Sequence, residues 1–182
     1  MTRDPATPVT TLRIGVISDT HGLLRAQATA FLQGCDHILH GGDIGGPEIL
    51  GQLAALAPVS AVRGNNDTQA WAASLPDTRL LQLGGVRVYV IHDLGKLSIE
   101  PCVAAVQIIV SGHSHQPCVR ERDGVIYLNP GSAGPRRFNL PISIAEVRIA
   151  GTVITPRLVE LHTRPAKGQI SGRPKMLRSD LR

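Results

Sequence analysis

The apolar positions of this chain fall in short runs that each stop on a glycine-flanked polar cluster, and this pattern sets the predicted skeleton. The continuous Ile and Val content of residues 12–18 predicts a buried strand, after which Leu24, Ala28, Phe31 and Leu32 recur at helical spacing and predict a helix closing near Gly34. Residues 38–40 read as a second strand. Pro47 opens a second helix whose apolar face is Ile49, Leu50, Leu53, Leu56 and Ala57, stopped by Pro58. Residues 59–62 complete a strand, helix, strand, helix, strand order, which implies parallel pairing with right-handed crossovers.

Beyond residue 62 the pattern turns to hairpins. Residues 80–83 and 86–91 flank Gly84-Gly85, and residues 119–122 and 125–128 flank Asp123-Gly124. Between the two hairpins the sequence predicts a short helix opened by Pro101 and a buried strand at 108–110. Residues 142–149 and 153–161 form a last antiparallel pair around Gly151, with Pro156 marking an edge strand because proline cannot donate to a ladder. The fold class that follows is α/β, two packed sheets with helices outside. One domain spans residues 12–162, behind a flexible lead over residues 1–11.

Composition changes this picture in three places. At 182 residues and 42% apolar content the chain fits one globular domain, and no run approaches the roughly 18 apolar residues of a membrane span. Arg3, Asp4, Pro5 and Pro8 stand where a secretion signal needs an apolar core, so a cytoplasmic protein without a membrane partner is the expectation. Cys35, Cys102 and Cys118 form no Cys-x-x-Cys pair, which argues against a disulfide framework or a zinc ribbon and predicts reduced, buried thiols. The net charge of +5 resides in residues 163–182, where six basic residues face Asp180 alone. Such a tail cannot bury enough apolar surface to order itself, so it reads as disordered. Contact with nucleic acid through the tail is one reading and plain solvation the other, and 3% aromatic residues leave few rings for stacking bases.

The polar clusters carry the chemistry. Asp19 and His21 follow the first strand, His40 to Asp43 the second, Gly64 to Asp67 the third, His92-Asp93 the run 86–91, and Gly112 to His115 the run 108–110. In an open α/β sheet, ligands bind beyond the carboxyl ends of strands, where all five clusters fall. Asp19, His21, Asp43, Asn65, His92, His113 and His115 are too many ligands for one ion, and they divide between two that share a carboxylate. The mixed nitrogen and oxygen set favours manganese, iron, zinc, cobalt or nickel over magnesium or calcium. Two divalent cations, two aspartates and one hydroxide leave a slightly positive site, which invites an anion. Hydrolysis of a phosphate ester by a metal-bound hydroxide follows from that charge. His37 and His162 read as structural or exposed, Trp71 as packing, His40 as a residue behind the ligands, and Asp67 has a structural alternative in orienting a ligand or capping a turn. The glycines at 41, 42, 45 and 46 precede no Gly-Lys-Ser/Thr, which excludes a P-loop, and neither Ser111 nor Ser114 lies in Gly-x-Ser-x-Gly.

Asp-x-His, Gly-Asp, Gly-Asn-x-Asp, His and Gly-His-x-His in this order resemble the calcineurin-like metallophosphoesterase superfamily, and Asn129-Pro130-Gly131-Ser132 resembles its small YfcE-type phosphodiesterases. The resemblance implies a four-layer α/β/β/α sandwich of two mixed sheets with flanking helices. It places Asp19, His21, Asp43 and His115 around a first metal and Asp43, Asn65, His92 and His113 around a second, with manganese foremost among the two divalent ions and Asp43 bridging. Asn66 and Asp67 are the catalytic candidates. Asn66, Arg136 and Arg137 are the candidate contacts to a small phosphate ester, the arginines because a guanidinium fork matches phosphate oxygens. The function implied is phosphodiester hydrolysis, with a phosphomonoesterase or nucleotidase using the same site as one alternative and a non-catalytic scaffold like a retromer subunit as another. Self-association is a further expectation, as relatives commonly form oligomers. Two departures matter: Asn66 stands where many members carry His, and Asp93 follows His92 in place of Gly-His. An amide donates a hydrogen bond but delivers no proton to a departing alkoxide.

Overall fold

The computed structural model describes residues 10–161 apart from 103 and 138. Most of the lead, His162 and the basic tail lie outside the described residues. The chain opens with β1 (Thr11–Ile17), α1 (Ala26–Leu32), β2 (His37–His40), α2 (Pro47–Ala54) and β3 (Val59–Ala61). It continues through β4 (Thr78–Leu83), β5 (Val86–Ile91), β6 (Ile108–Val110), β7 (Cys118–Arg122), β8 (Val125–Asn129), β9 (Ser143–Ala150) and β10 (Val153–Glu160). Two five-stranded mixed sheets result, ordered β10-β9-β1-β2-β3 and β4-β5-β6-β8-β7. In each, three neighbouring strands run parallel, β1-β2-β3 and β5-β6-β8. Antiparallel partners close the rest: β9 and β10 in the first sheet, β4 and β7 in the second.

Period-two alternation sorts the apolar side chains into layers. Ile14 and Val16 of β1 point with Ala145, Val147 and Ile149 of β9 toward Val86, Val88, Val90, Ile108, Val110 and Leu128 of the opposite sheet. Ile17 and Ile38 point the other way, against Ala28 and Leu32 of α1 and Ile49 and Leu53 of α2. Tyr89, Ile91, Ile109 and Val125 leave the outer face of the second sheet and meet Leu97, Ile99 and Ala104. The central strands are therefore buried on both faces, which is why they read as unbroken apolar runs. At Gly15 a side chain would collide with Leu32, so this glycine sets how closely α1 can lie on β1.

The sandwich agrees with the sequence reading, and Pro156 sits on the edge strand β10 as expected. Three local expectations are corrected. Among the described residues of this stretch, 101, 102, 104 and 105 lie in hydrogen-bonded turns in place of a helix, with the Glu100 and Pro101 carbonyls accepting from Ala104 and Val106. Ala105 adopts φ 52°, which ends any helical turn there, and a single turn has too few bonds to persist. The second sheet's outer face is thus covered by Leu97, Ile99, Ala104 and Val106 from the segment that follows a 3₁₀ turn at Leu94–Lys96. Helix α2 ends at Ala54, so Leu56 and Ala57 pack from the loop beyond it. Of the thiols, Cys35 is buried, Cys118 is half-buried and Cys102 is exposed. No helix among the described residues is long and apolar enough to cross a membrane.

Leu128 lies at 1% exposure between the sheets, whereas Leu80 on the edge strand β4 is 51% exposed. Leu128→Ala is expected to lower the unfolding free energy by about 3 kcal/mol. Leu80→Ala is expected to shift it by less than about 0.5 kcal/mol. Urea denaturation of both variants checks the layer assignment, and equal effects would contradict it.

Candidate metal centre

The loops that follow β1, β2, β3, β5 and β6 converge at one edge of the sandwich, as parallel strands whose carboxyl ends share a direction require. Each candidate ligand leaves its strand within a few residues, and the backbone turns sharply there. Asp19, His21, Asp43, His113 and His115 all adopt φ between 46° and 66°, in the left-handed region that non-glycine residues rarely occupy. Such conformations cost on the order of 1 kcal/mol each and persist only where the surroundings impose them.

The side chains meet at ligand distances. His115 Nε2 lies 3.2 Å from Asp19 Oδ1 and 3.4 Å from His21 Nε2. Asp43 stands between the two halves, with Oδ2 3.8 Å from His21 Nε2 and Oδ1 3.5 Å from His92 Nε2. Asn65 Oδ1 is 3.0 Å from His92 Nε2 and 2.9 Å from His113 Nδ1. Asp19, Asp43, His92 and His115 form the buried floor, while Asn65, Asn66 and His113 are exposed at the mouth.

Two sets of ligand atoms, Asp19-His21-His115 and Asp19-Asp43-His92, lie close enough together to hold an ion each. Two ligands about 2.1 Å from one cation stand roughly 3 to 3.5 Å apart, so the observed spacings fit. Asp19 belongs to both sets, and Asp43, the bridging carboxylate of the sequence reading, stands between His21 and His92. Among the described residues, His115 Nδ1 is a buried atom with no hydrogen-bond partner.

Around this cluster runs a scaffold that orients it. His92 donates from Nδ1 to the Gly41 carbonyl at 2.7 Å, which leaves Nε2 free to face the centre. Asn129 donates to the Gly112 carbonyl at 2.6 Å and to Ser114 Oγ at 3.1 Å, pinning the loop that carries His113 and His115. Ser132 donates to the Asp19 carbonyl at 2.9 Å. The Asn129-Pro130-Gly131-Ser132 string, noticed in the sequence only as a resemblance, is therefore a brace under two ligand loops. Gly64 approaches so closely that any side chain there would strike the Asp43 backbone nitrogen and carboxylate.

Asp67 takes a different place from the catalytic one expected of it. Its carboxylate is 2% exposed and accepts from the amides of Ile44, Gly45 and Gly64, all at 2.9 Å. Those bonds occupy both oxygens and tie the loop after β2 to the loop after β3, which is the structural alternative. Asn66 likewise turns inward: its backbone N–H and its Nδ2 donate to Asp43 at 2.8 Å and 2.5 Å, so in this geometry it holds a ligand and does not reach outward to substrate. Arg136 and Arg137 are exposed in the loop after β8, and the charge of Arg137 is felt at His21.

Burial lowers the His21 pKa, with Arg137 adding to the effect against the opposing Asp43 and Asp19. Burial pulls the same way on His92, but the Asp43 carboxylate and the Gly41 carbonyl outweigh it and raise that pKa. For Asp43, burial favours the neutral acid, yet hydrogen bonds from His92 and Asn66 prevail and hold it below the usual carboxylate range. His37 is structural as expected, sharing a 2.9 Å hydrogen bond with Ser60.

His40 lies fully buried behind the ligands, between Thr20 Oγ1 at 3.0 Å and the Gly42 amide at 3.2 Å. Its Nδ1 accepts from Gly42, so Nε2 carries the proton and donates to Thr20, whose hydroxyl passes its own proton to the Ile44 carbonyl. Burial pushes its pKa down to about 4. An unfolded histidine titrates near 6.5, so the unfolded chain binds the extra proton between pH 6.5 and 4, and stability present above that window is lost as pH falls through it. The chelator-treated protein is expected to lose about 3 kcal/mol in that window from this residue. His40→Gln, whose amide supplies a donor in the place of Nε2–H, is expected to show a correspondingly flatter profile in urea melts. Parallel profiles would contradict the role given to His40.

Comparison with known proteins agrees with this geometry. Residues 12–152 match the Calcineurin-like phosphoesterase superfamily domain. A probable metallophosphoesterase of Methanothermobacter thermautotrophicus is 36% identical over 159 residues, which is 80% of this chain and 91% of that one. Among solved structures, Vps29 of Chaetomium thermophilum superposes with a TM-score of 0.71 at 21% identity, covering 83% of this chain and 88% of that one. A structure described as a novel archaeal phosphodiesterase gives 0.64 at 18% identity, covering 81% of this chain and all of that one. At such identities the two structures speak for the fold alone. The domain match, the curated relative and the ordered ligand loops together place the chain in the calcineurin-like phosphoesterase superfamily, to which it belongs.

Proposed function

We propose that this protein is a dinuclear metal-dependent phosphoesterase that hydrolyses phosphodiesters. The observation that carries the reading is the convergence of Asp19, His21, Asp43, His92 and His115 at spacings suited to divalent cations. Asp19, His21, Asp43 and His115 would hold one ion and Asp43, Asn65, His92 and His113 the other, with Asp19 close to both. Manganese is the first candidate, ahead of iron, zinc, nickel and cobalt. When bound, such ions supply Lewis acidity toward phosphoryl oxygens and a lowered pKa for water. A scaffold without catalysis, as the Vps29-like fold allows, is the weaker reading because every ligand position of this chain carries a metal-capable side chain.

The chain's own residues then bind and orient. Asn66 and the Gly41 carbonyl hold Asp43 and His92 in place, so the acceptor atoms face one another without rearrangement. Arg137 brings positive charge to the mouth near His21, favourable to an anionic phosphoryl group. Two clefts of about 630 Å³ each flank the centre. One is lined by Asn65, His92 and Ala70, the other by His113, Ser114 and Tyr127, and Asp93 borders both. A diester has two substituents to lodge, a monoester one, and the paired clefts favour the diester. Hydrolysis of a chromogenic aryl phosphodiester with each metal added back tests the reading. Absence of turnover with every metal would remove it.

Two outcomes are expected beyond that screen. Asn66 delivers no proton, so log kcat across a series of substituted phenyl esters is expected to fall steeply as leaving-group pKa rises, and a flat series would exclude the missing acid. Asn66→His is expected to reduce that slope if the imidazole reaches the departing oxygen. The raised pKa of His92 means that the metal-free protein keeps a proton on a ligand to higher pH than an ordinary imidazole would, and an incoming cation displaces it. Manganese affinity is therefore expected to fall as the pH is lowered, with protons released on binding and fewer released by His92→Gln. Calorimetry in buffers of different ionisation enthalpy measures this, and pH-independent affinity would speak against it.

A further inference from the structure

The two clefts beside the candidate centre have equal volumes and unequal charge. The cleft beyond Asn65 contains Arg63, but Asp77 lies against that guanidinium at 2.6 Å and lines the same cleft, as do Asp67 and Lys96. Its charges largely cancel. The cleft beyond His113 is bordered by β7, where alternation puts Cys118, Arg120 and Arg122 on one face, all of them lining the cleft. In the ladder Arg120 stands opposite Tyr127 and Arg122 opposite Val125, so neither faces an acid across the strands. Arg122 meets its neighbour Asp123 at 3.3 Å, but both are largely exposed, and such a pair leaves the guanidinium available. Asp93, shared with the first cleft, is the acidic residue on this lining, and its Oδ1 already accepts from Gly95.

Resting on the reading of the site as a phosphodiesterase, we infer that the cleft beyond His113 selects a substituent bearing a second negative charge, recognised by Arg120 and Arg122. The substrate class is then an asymmetric diester. Its scissile phosphoryl group sits at the metal centre, its uncharged arm takes the cleft beyond Asn65, and its anionic arm runs along β7. A guanidinium fork matches a carboxylate or a phosphate, and those two groups are the chemistries the cleft accepts. Neither arginine touches the candidate ligands, so they act on selection among diesters and not on the assembly of the centre.

The test uses the metal-loaded full-length protein and three esters with the same 4-nitrophenolate leaving group. Their second arm is phenyl, 4-carboxyphenyl or 4-phosphonophenyl, so any difference in kcat/KM comes from the arm. The charged arms are expected to be preferred by about five- to tenfold at low salt, with the preference shrinking in 0.5 M KCl. Arg120→Ala combined with Arg122→Ala is expected to bring the ratio to about one, and Arg120→Glu to push it below the wild-type value. Arg157→Ala, on the other sheet, is expected to keep the wild-type ratio. A larger preference for phosphonate points to a phosphate-bearing substrate, and equal preference to anions in general. A wild-type ratio at or below one, or a preference that survives the double substitution, overturns the inference. Failure to release nitrophenolate from any of the three counts against the phosphodiesterase reading instead, and calorimetric binding of the same esters then still reads the arm preference.

Discussion

Two carboxylates buried within reach of the same imidazoles are the constraint on which this structure turns. Asp19 and Asp43 are each almost wholly withdrawn from water, and Asp43 reaches both His21 and His92. Like charges placed together at low dielectric repel one another by several kcal/mol unless cations or donors compensate. The protein supplies part of that compensation itself, through Asn66 on Asp43 and the His113 amide on Asp19. The rest is what bound divalent metal ions would provide. The site is thus held in a conformation that suits cations better than it suits the bare chain, and the left-handed backbone at five ligands is part of that conformation.

What keeps so strained an arrangement in place is the sandwich behind it. Strands buried on both faces give rigid ends, and the braces from Asn129, Ser132, Asp67 and His40 connect one loop to the next. Each brace is a buried polar group satisfied by backbone, which costs little when formed and much when one partner is lost. His40 shows how close this scaffold stands to the chemistry: it must remain neutral to accept from Gly42 and donate to Thr20, and burial ensures that it does. The chemistry at the mouth is correspondingly open, with exposed His113, Asn65 and the two clefts available to substrate.

Much of this was legible along the chain because the relevant signals are local. An apolar run buried on both faces announces itself by composition, so β1, β5 and β6 were found with nearly their observed bounds. Gly-flanked aspartates and histidines at the ends of those runs announced the ligands for the same reason, since a ligand loop must leave its strand abruptly. The predicted helix at Pro101 failed because helix formation over so few residues depends on packing, and the Ala105 backbone makes a turn that no residue type there demands. The exposure of Cys102 was equally invisible, because apolar preference alone does not say which thiol reaches the core.

Sequence alone determined the α/β class, the order of strands and the identity of the metal-capable residues, because periodicity and residue chemistry are properties of short stretches. Only the tertiary structure decided how those residues divide. It brought Asp19 toward both halves of the centre, turned Asn66 onto Asp43 and used Asp67 to join two loops. It also set two clefts of unlike charge on either side. Those are relations between loops some twenty to a hundred residues apart, and they exist only once the two sheets have packed and fixed the ends of their strands in space.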